Sequence, residues 1–119
     1  MKRKDTGILG EKLAQAFLKQ KGYRILETNY RCLYGEIDII ARRDNCLVFI
    51  EVRTRNSLDY GTPEESITFA KKQHLEKTAE HYLQNRDKMA SSWRIDMVAV
   101  ELEGGNKAKR IEIIENVFG

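Results

Sequence analysis

No apolar run in this sequence approaches the roughly 20 residues that a membrane-spanning helix needs. The basic start, Met1-Lys2-Arg3-Lys4, is not followed by the apolar core of a secretory signal. Cysteine is scarce: Cys32 and Cys46 form no CxxC and join no Cys/His cluster at zinc-ligand spacing. Reduced thiols in a cytoplasmic protein are the reading that fits, with no membrane partner. Several common chemistries are missing as well. There is no GxxxxGK phosphate loop, no GxGxxG and no GxSxG elbow. HExxH is absent; His74 and His81 stand seven apart, not four, and read as surface or supporting residues. No internal repeat, low-complexity tract or linker divides the chain. The 119 residues therefore read as a single domain over 1–119, large enough for a real hydrophobic core.

What is present is charge, at 33% of residues, beside a 41% hydrophobic share that excludes a disordered chain. The net charge is only +3, but it is uneven: +5 over residues 1–35, −3 over 36–70 and +1 over 71–119. An acidic middle between basic flanks suits a metal-dependent enzyme acting on a polyanion. Ordinary surface variation produces the same asymmetry.

The acidic middle centres on two short apolar runs, Glu36–Ala41 and Cys46–Val52, separated by a polar turn at Arg42–Asn45. Each is too short for a helix and rich in Ile, Val and Phe, so together they predict a β-hairpin. The second run is apolar on both faces, as a central strand covered on both sides would be. Glu51 then shares a face with Leu47, Phe49 and Arg53. A carboxylate withdrawn from water needs a partner. Arg53 can supply a structural ion pair, or a divalent cation can be shared with Asp38, since antiparallel pairing brings Asp38 and Glu51 together.

Around this hairpin, Thr6 as cap and Gly22 as stop predict a first helix to about Lys21, with Ile8, Leu9, Leu13, Ala16 and Phe17 as its apolar stripe. Glu11 lies beside that stripe, and Gly10 before it leaves room for close approach of another backbone or a ligand. Residues 23–31 read as a strand preceding the hairpin. Thr62-Pro63 opens a second helix to about Asn85, burying Ile67, Ala70, Leu75, Ala79, Tyr82 and Leu83. Lys71, Lys72, Gln73 and His74 in its middle make either a solvated face or a reach toward phosphates. Residues 93–101 read as a buried strand carrying Asp96, and Arg110–Val117 as a last strand. A helix crossing from strand three to strand four makes those two parallel neighbours. The predicted fold is a three-layer α/β/α sandwich on a mixed sheet, in the order helix, three strands, helix, two strands.

Asp38, with Glu51-x-Arg53 following 13 residues later on a hairpin, resembles the PD-(D/E)xK nuclease superfamily. The nearer likeness is to the YraN family of predicted endonucleases, similar to archaeal Holliday-junction resolvases. It is carried by Gly10-Glu11, Asn29-Tyr30-Arg31, Gly35-Glu36-Ile37-Asp38-Ile39-Ile40-Ala41, Phe49-Ile50-Glu51-Val52-Arg53-Thr54-Arg55, Lys72-Gln73, Ala79 with Tyr82-Leu83, and Arg94 to Val100. It covers nearly the whole chain.

The resemblance implies a restriction-endonuclease-like fold and Mg²⁺- or Mn²⁺-dependent cleavage of DNA, structured or branched DNA in particular. Asp38 and Glu51 would hold the metal, with Glu11 assisting from the first helix and Gln73 from the second. Phosphate contacts would come from Lys2, Arg3, Lys4, Arg42, Arg43, Arg55, Lys71 and Lys72. Resolvase-like enzymes tend to be homodimers, which suits two symmetric cuts. Two departures stand out. Ile37 replaces the usual proline, and Arg53 replaces the usual lysine. Arginine keeps its proton and cannot readily act as a base, although it can stabilise developing charge. The alternative is a nucleic-acid-binding protein of this fold without catalysis.

Overall fold

A computed structural model describes residues 3–57, 59, 61–84, 92–103 and 107–118. Helix α1 (Arg3–Gln20) leads into strands β1 (Arg24–Cys32), β2 (Gly35–Arg43) and β3 (Cys46–Arg55). Helix α2 (Phe69–Gln84) then precedes β4 (Ser92–Leu102) and β5 (Ala108–Ile114). The five strands lie side by side in sequence order. All neighbours are antiparallel except β3 and β4, which run parallel. This is the predicted mixed sheet, with a helix on each face.

The double cover follows from the apolar pattern of β3. Val48 and Ile50 face α1 and join Ala14, Leu18, Ile39, Ala41, Val98 and Val100. Leu47 and Phe49 face α2 and join Leu75, Ala79, Tyr82, Ile37 and Ile40. Ile37 and Ile40 thus share a core, where strict alternation would separate them. The strand turns over at Asp38, opposite the left-handed Asn29 of β1 (φ 53).

Helix α1 begins three residues before the expected cap. Thr6 is buried within it, and its hydroxyl accepts a hydrogen bond from Asn56 Nδ2 at 2.8 Å. The packed line is Thr6, Gly10, Ala14 and Leu18, four residues apart. Ile8 and Ala16 point to solvent instead. The helix ends as predicted at Gly22 (φ 89): Tyr23 N–H reaches Leu18 O and Gly22 N–H reaches Lys19 O, a glycine-stopped terminus.

Gly10 gives the close approach expected of it, because a Cβ there would sit 1.9 Å from Thr54 Oγ1 of β3. Gly10→Ala gains about 1 kcal/mol of helix propensity but must displace Thr54, an overpacking cost of about 1–3 kcal/mol or more. The expected net result is a lower midpoint in urea with an unchanged slope.

The second helix starts later than Pro63. Thr62 and Glu65 cap one another across a short 3-10 turn at Glu64–Ser66, with bonds of 2.8 and 3.3 Å. Ile67 is then extended (φ −80, ψ 133), and Thr68 Oγ1 caps the true helix through Lys71 N–H at 3.1 Å. Ile67 therefore lies outside α2 and Ala70 is exposed, while Leu75, Thr78, Ala79 and Tyr82 form the buried line. The expected end near Asn85 lies outside the described residues. β5 starts two residues earlier and ends three residues earlier than predicted. Beyond it, the chain turns so that Asn116 and Val117 N–H bond to Asp96 Oδ1 and Ile95 O. Among the described residues no helix is long and apolar enough to cross a membrane.

Candidate active site

The β2–β3 ladder stops at the pair Ile39 and Ile50, although β3 continues beside β4 as far as Arg55. Beyond that last pair the carboxylate of Asp38 replaces a backbone acceptor: Val52 N–H donates to its Oδ2 at 2.8 Å. The parting of two strands therefore aims Asp38 into an open groove. Glu51 lies beside it on β3, and Glu11 reaches in from α1. The groove is about 1010 Å³ and also holds Glu36, Arg53, Arg55 and Lys71.

Glu51 is only 4% exposed. Its Oε2 meets Arg53 Nη2 at 3.0 Å and Lys71 Nζ at 3.5 Å. Arg53 Nε takes no part in holding Glu51; this nitrogen is buried and has no hydrogen-bond partner.

Burial pushes the Glu51 carboxyl up to about 8, and the charge of Asp38 and a hydrogen bond to it add to the shift. Lys71 and Arg53 offset only part of this. Glu11 is raised to about 7 by burial, then by the charge of Asp38 and a hydrogen bond to it, then by Glu36. When protonated, each glutamate donates its O–H to Asp38. Both acids thus hold protons in the folded chain at pH values where an ordinary glutamate, near 4.5, has lost them. The folded state binds more protons than the unfolded one between about pH 4.5 and 8. Stability is then expected to fall as pH rises through that window. Thermal unfolding followed from pH 5 to pH 8 checks this, and Glu51→Gln should flatten the slope.

Of the sequence-predicted residues, Glu11, Asp38, Glu51, Arg53, Arg55 and Lys71 meet in the groove. Gln73 is exposed on α2 and does not line it. Lys72 lies over the rings of Phe69 and Phe118, each 5.9 Å away. Arg42 and Arg43 sit at the other end of the hairpin, about 14 and 17 Å along β2 from Asp38 at about 3.4 Å per residue. There Arg42 bonds Asp44 O and Asn45, while Arg43 covers the Tyr23 ring and faces Glu115. They do not belong to the acid groove. The structure of Lys2 and the side chains of Arg3 and Lys4 lie outside the described residues, although α1 begins at Arg3. Glu36 was not anticipated. Its position two residues before Asp38 was the available signal, since strand residues two apart share a face. It also pairs with Arg31 at 2.7 Å.

Among the described residues, no three His, Cys, Asp or Glu side chains are arranged to hold a metal ion as they stand. The donor chemistry of Asp38, Glu51 and Glu11 nevertheless fits a hard cation, being carboxylate oxygen throughout. Burial is the larger cause of the raised Glu11 and Glu51 carboxyls, and the charge of Asp38, the next cause, is what such an ion would offset.

Fold and groove together define a mixed-sheet α/β protein with a carboxylate-centred cleft at the parting of two strands. The chain belongs to the family described as Uncharacterised protein family UPF0102, whose pattern matches residues 10–100. A UPF0102 protein of Caldicellulosiruptor saccharolyticus is 42% identical over 118 residues, 99% of this chain and 100% of its own. One from Moorella thermoacetica is 46% identical over 118 residues, 99% and 98% of the two chains. A third, from Dehalococcoides mccartyi, is 48% identical over 117 residues, 98% and 95%.

Proposed function

We propose that this protein is a divalent-cation-dependent endonuclease that hydrolyses phosphodiester bonds in DNA, branched or structured DNA in particular. The observation that carries this reading is the meeting of Asp38, Glu51 and Glu11 beside Arg53, Arg55 and Lys71 in one open groove. Carboxylates held this close destabilise the empty protein, and an ion between them offsets that cost. The adjacent cations suit a polyanion. The likeness of the Asp38…Glu51-x-Arg53 hairpin to PD-(D/E)xK nucleases supports the same conclusion.

Asp38 and Glu51 would hold Mg²⁺ or Mn²⁺, with Glu11 assisting. Such an ion, when bound, lowers the pKa of a water and neutralises charge on the phosphoryl group. The chain's own residues do the positioning. Arg55 and Lys71 grip backbone phosphates. Arg53, always charged, lines the groove and stabilises the charge that grows on the phosphoryl group. A homodimer would allow paired cuts on a symmetric junction.

A second reading, DNA binding without cleavage, draws on the two cations that already sit on Glu51 Oε2. One experiment separates them. Branched, nicked and single-stranded DNA are incubated with Mg²⁺ or Mn²⁺, and metal binding is followed by calorimetry. Cleavage that Glu51→Ala abolishes supports the enzyme. Binding of DNA with no product from any substrate supports the second reading.

A further inference from the structure

A second cavity lies on the other side of the strand that carries Asp38. It measures about 260 Å³ and is lined by Tyr34, Lys77, Glu80, His81 and Gln84. We infer that it receives a single unpaired nucleobase of the DNA whose backbone lies in the acid groove. This inference rests on the nuclease-groove reading above for the position of the strand.

The walls are aromatic. The Tyr34 and His81 rings pack edge to face on one another, 6.2 Å apart at 66°, and Tyr34 is left 42% exposed, so a base would stack on the outer face of this aromatic pair. His81 is held from behind by the Tyr30 hydroxyl, 2.7 Å from its Nδ1. The rest of the lining is polar, mixed and exposed. Lys77 donates, Glu80 accepts and Gln84 does both, the set needed to meet the edge of a base. These three and His81 are spaced on α2 so that they share one helical face.

Position favours a nucleobase over other planar ligands. Leu33 and Tyr34 form the two-residue turn between β1 and β2, and they are 83% and 42% exposed. Gly35 fixes the turn against α2, since its φ is 147° and an added Cβ would lie 3.3 Å from Thr78 Oγ1. The next residue, Glu36, already lines the acid groove. Tyr34 precedes Asp38 by four residues, about 13 Å of strand. At about 3.4 Å of rise per stacked base, a base at Tyr34 belongs to a nucleotide a few positions from the phosphate over Asp38. Leu33 beside it has the exposure of an apolar wedge that parts a base stack. The pocket would therefore select DNA with an unpaired base near the cut, as at a bulge, flap or junction.

The test compares a perfect duplex with the same duplex carrying one unpaired 2-aminopurine. Binding to the full-length protein is measured in Ca²⁺, and cleavage in Mg²⁺ is assayed in parallel. The expected result is about tenfold tighter binding of the bulged duplex, with quenching of 2-aminopurine on stacking. Tyr34→Ala should erase both, Tyr34→Phe should keep both, and neither should change affinity for the perfect duplex. Circular dichroism confirms that the variants fold. Equal affinity for the two duplexes, or a preference that survives Tyr34→Ala, overturns the pocket even if cleavage is seen. A Tyr34-dependent preference with no cleavage upholds the pocket and overturns the nuclease. No DNA binding at all overturns both.

Discussion

Asp38→Asn is expected to lower metal-dependent DNA cleavage by about 100- to 1,000-fold while leaving the protein folded and, at pH 8, more stable. The loss follows from removing one of the two carboxylates that would hold the proposed cation, whose charge stabilisation would be worth several kcal/mol, at about 1.4 kcal/mol per tenfold. The gain has a separate cause. The amide oxygen of asparagine still accepts from Val52 N–H, so the bond that closes the end of the hairpin survives. What disappears is the negative charge that helps push Glu11 and Glu51 upward. Those residues then ionise at less cost, and the fall of stability with pH becomes shallower. Single-turnover cleavage and a thermal melt on the same preparation read both effects. A loss of cleavage with an equal loss of stability would mean that Asp38 serves only the fold.

Asp96→Ala is expected to cost about 3–5 kcal/mol, the cost of breaking a buried ion pair by removing one partner. Asp96 is fully buried on β4, yet it is thoroughly partnered. Arg94 Nε donates to both of its oxygens, at 3.0 and 3.2 Å, and Asn116 N–H donates to Oδ1 at 2.8 Å. The Tyr23 hydroxyl lies 3.5 Å from Oδ2 and accepts from Arg94 Nη2 at 3.1 Å. Truncation leaves the Arg94 guanidinium half-buried against a cavity and releases the turn after β5. Chemical denaturation should show the midpoint falling with little change in slope. Asp96 pairs with Ile50, one residue before Glu51, but neither it nor its partners Arg94, Tyr23 and Asn116 line the acid groove, so a cleavage assay run well below the melting temperature should be nearly unaffected. The two predictions thus set Asp38, whose charge beside Glu11 and Glu51 costs stability, against Asp96, whose contacts supply it.

The sequence could not separate those roles. Asp38, Glu51 and Asp96 all appear as lone acids in apolar runs. What distinguishes them is whether neighbouring strands stay together. At Asp96 the flanking chain closes around the carboxylate. At Asp38 the ladder ends and the strands part, which depends on a turnover of β2 that no local pattern announces. The sheet was more legible. Two-faced hydrophobicity at Leu47–Ile50 required cover on both sides, and the helix between strands three and four required a parallel pair. Helix starts were the weak point. Thr6 has the chemistry of a cap, but tertiary packing buries it and Asn56 satisfies its hydroxyl instead. Thr62 does cap, yet only a 3-10 turn, because extended Ile67 interrupts the chain before α2. Gln73 appeared in the resemblance beside Lys72, but one turn of helix directs Lys71 into the groove and Gln73 outward.

The parallel pairing of β3 with β4 has a kinetic consequence. Its register joins Cys46 to Ser92, so the chain must close a loop of some 46 residues before those strands meet. The β1–β2–β3 meander needs only tight turns, and hairpins of that kind form in about 1–10 μs, whereas long-range pairing is slower. Asp38 and Glu51 are therefore brought together early in refolding, before α2 docks and delivers Lys71. Until that docking, two like charges face each other with only Arg53 nearby. Refolding in the presence of a chelator should accordingly slow as the solution is made more alkaline, and, if the groove takes a cation as proposed, a millimolar divalent salt should restore its speed.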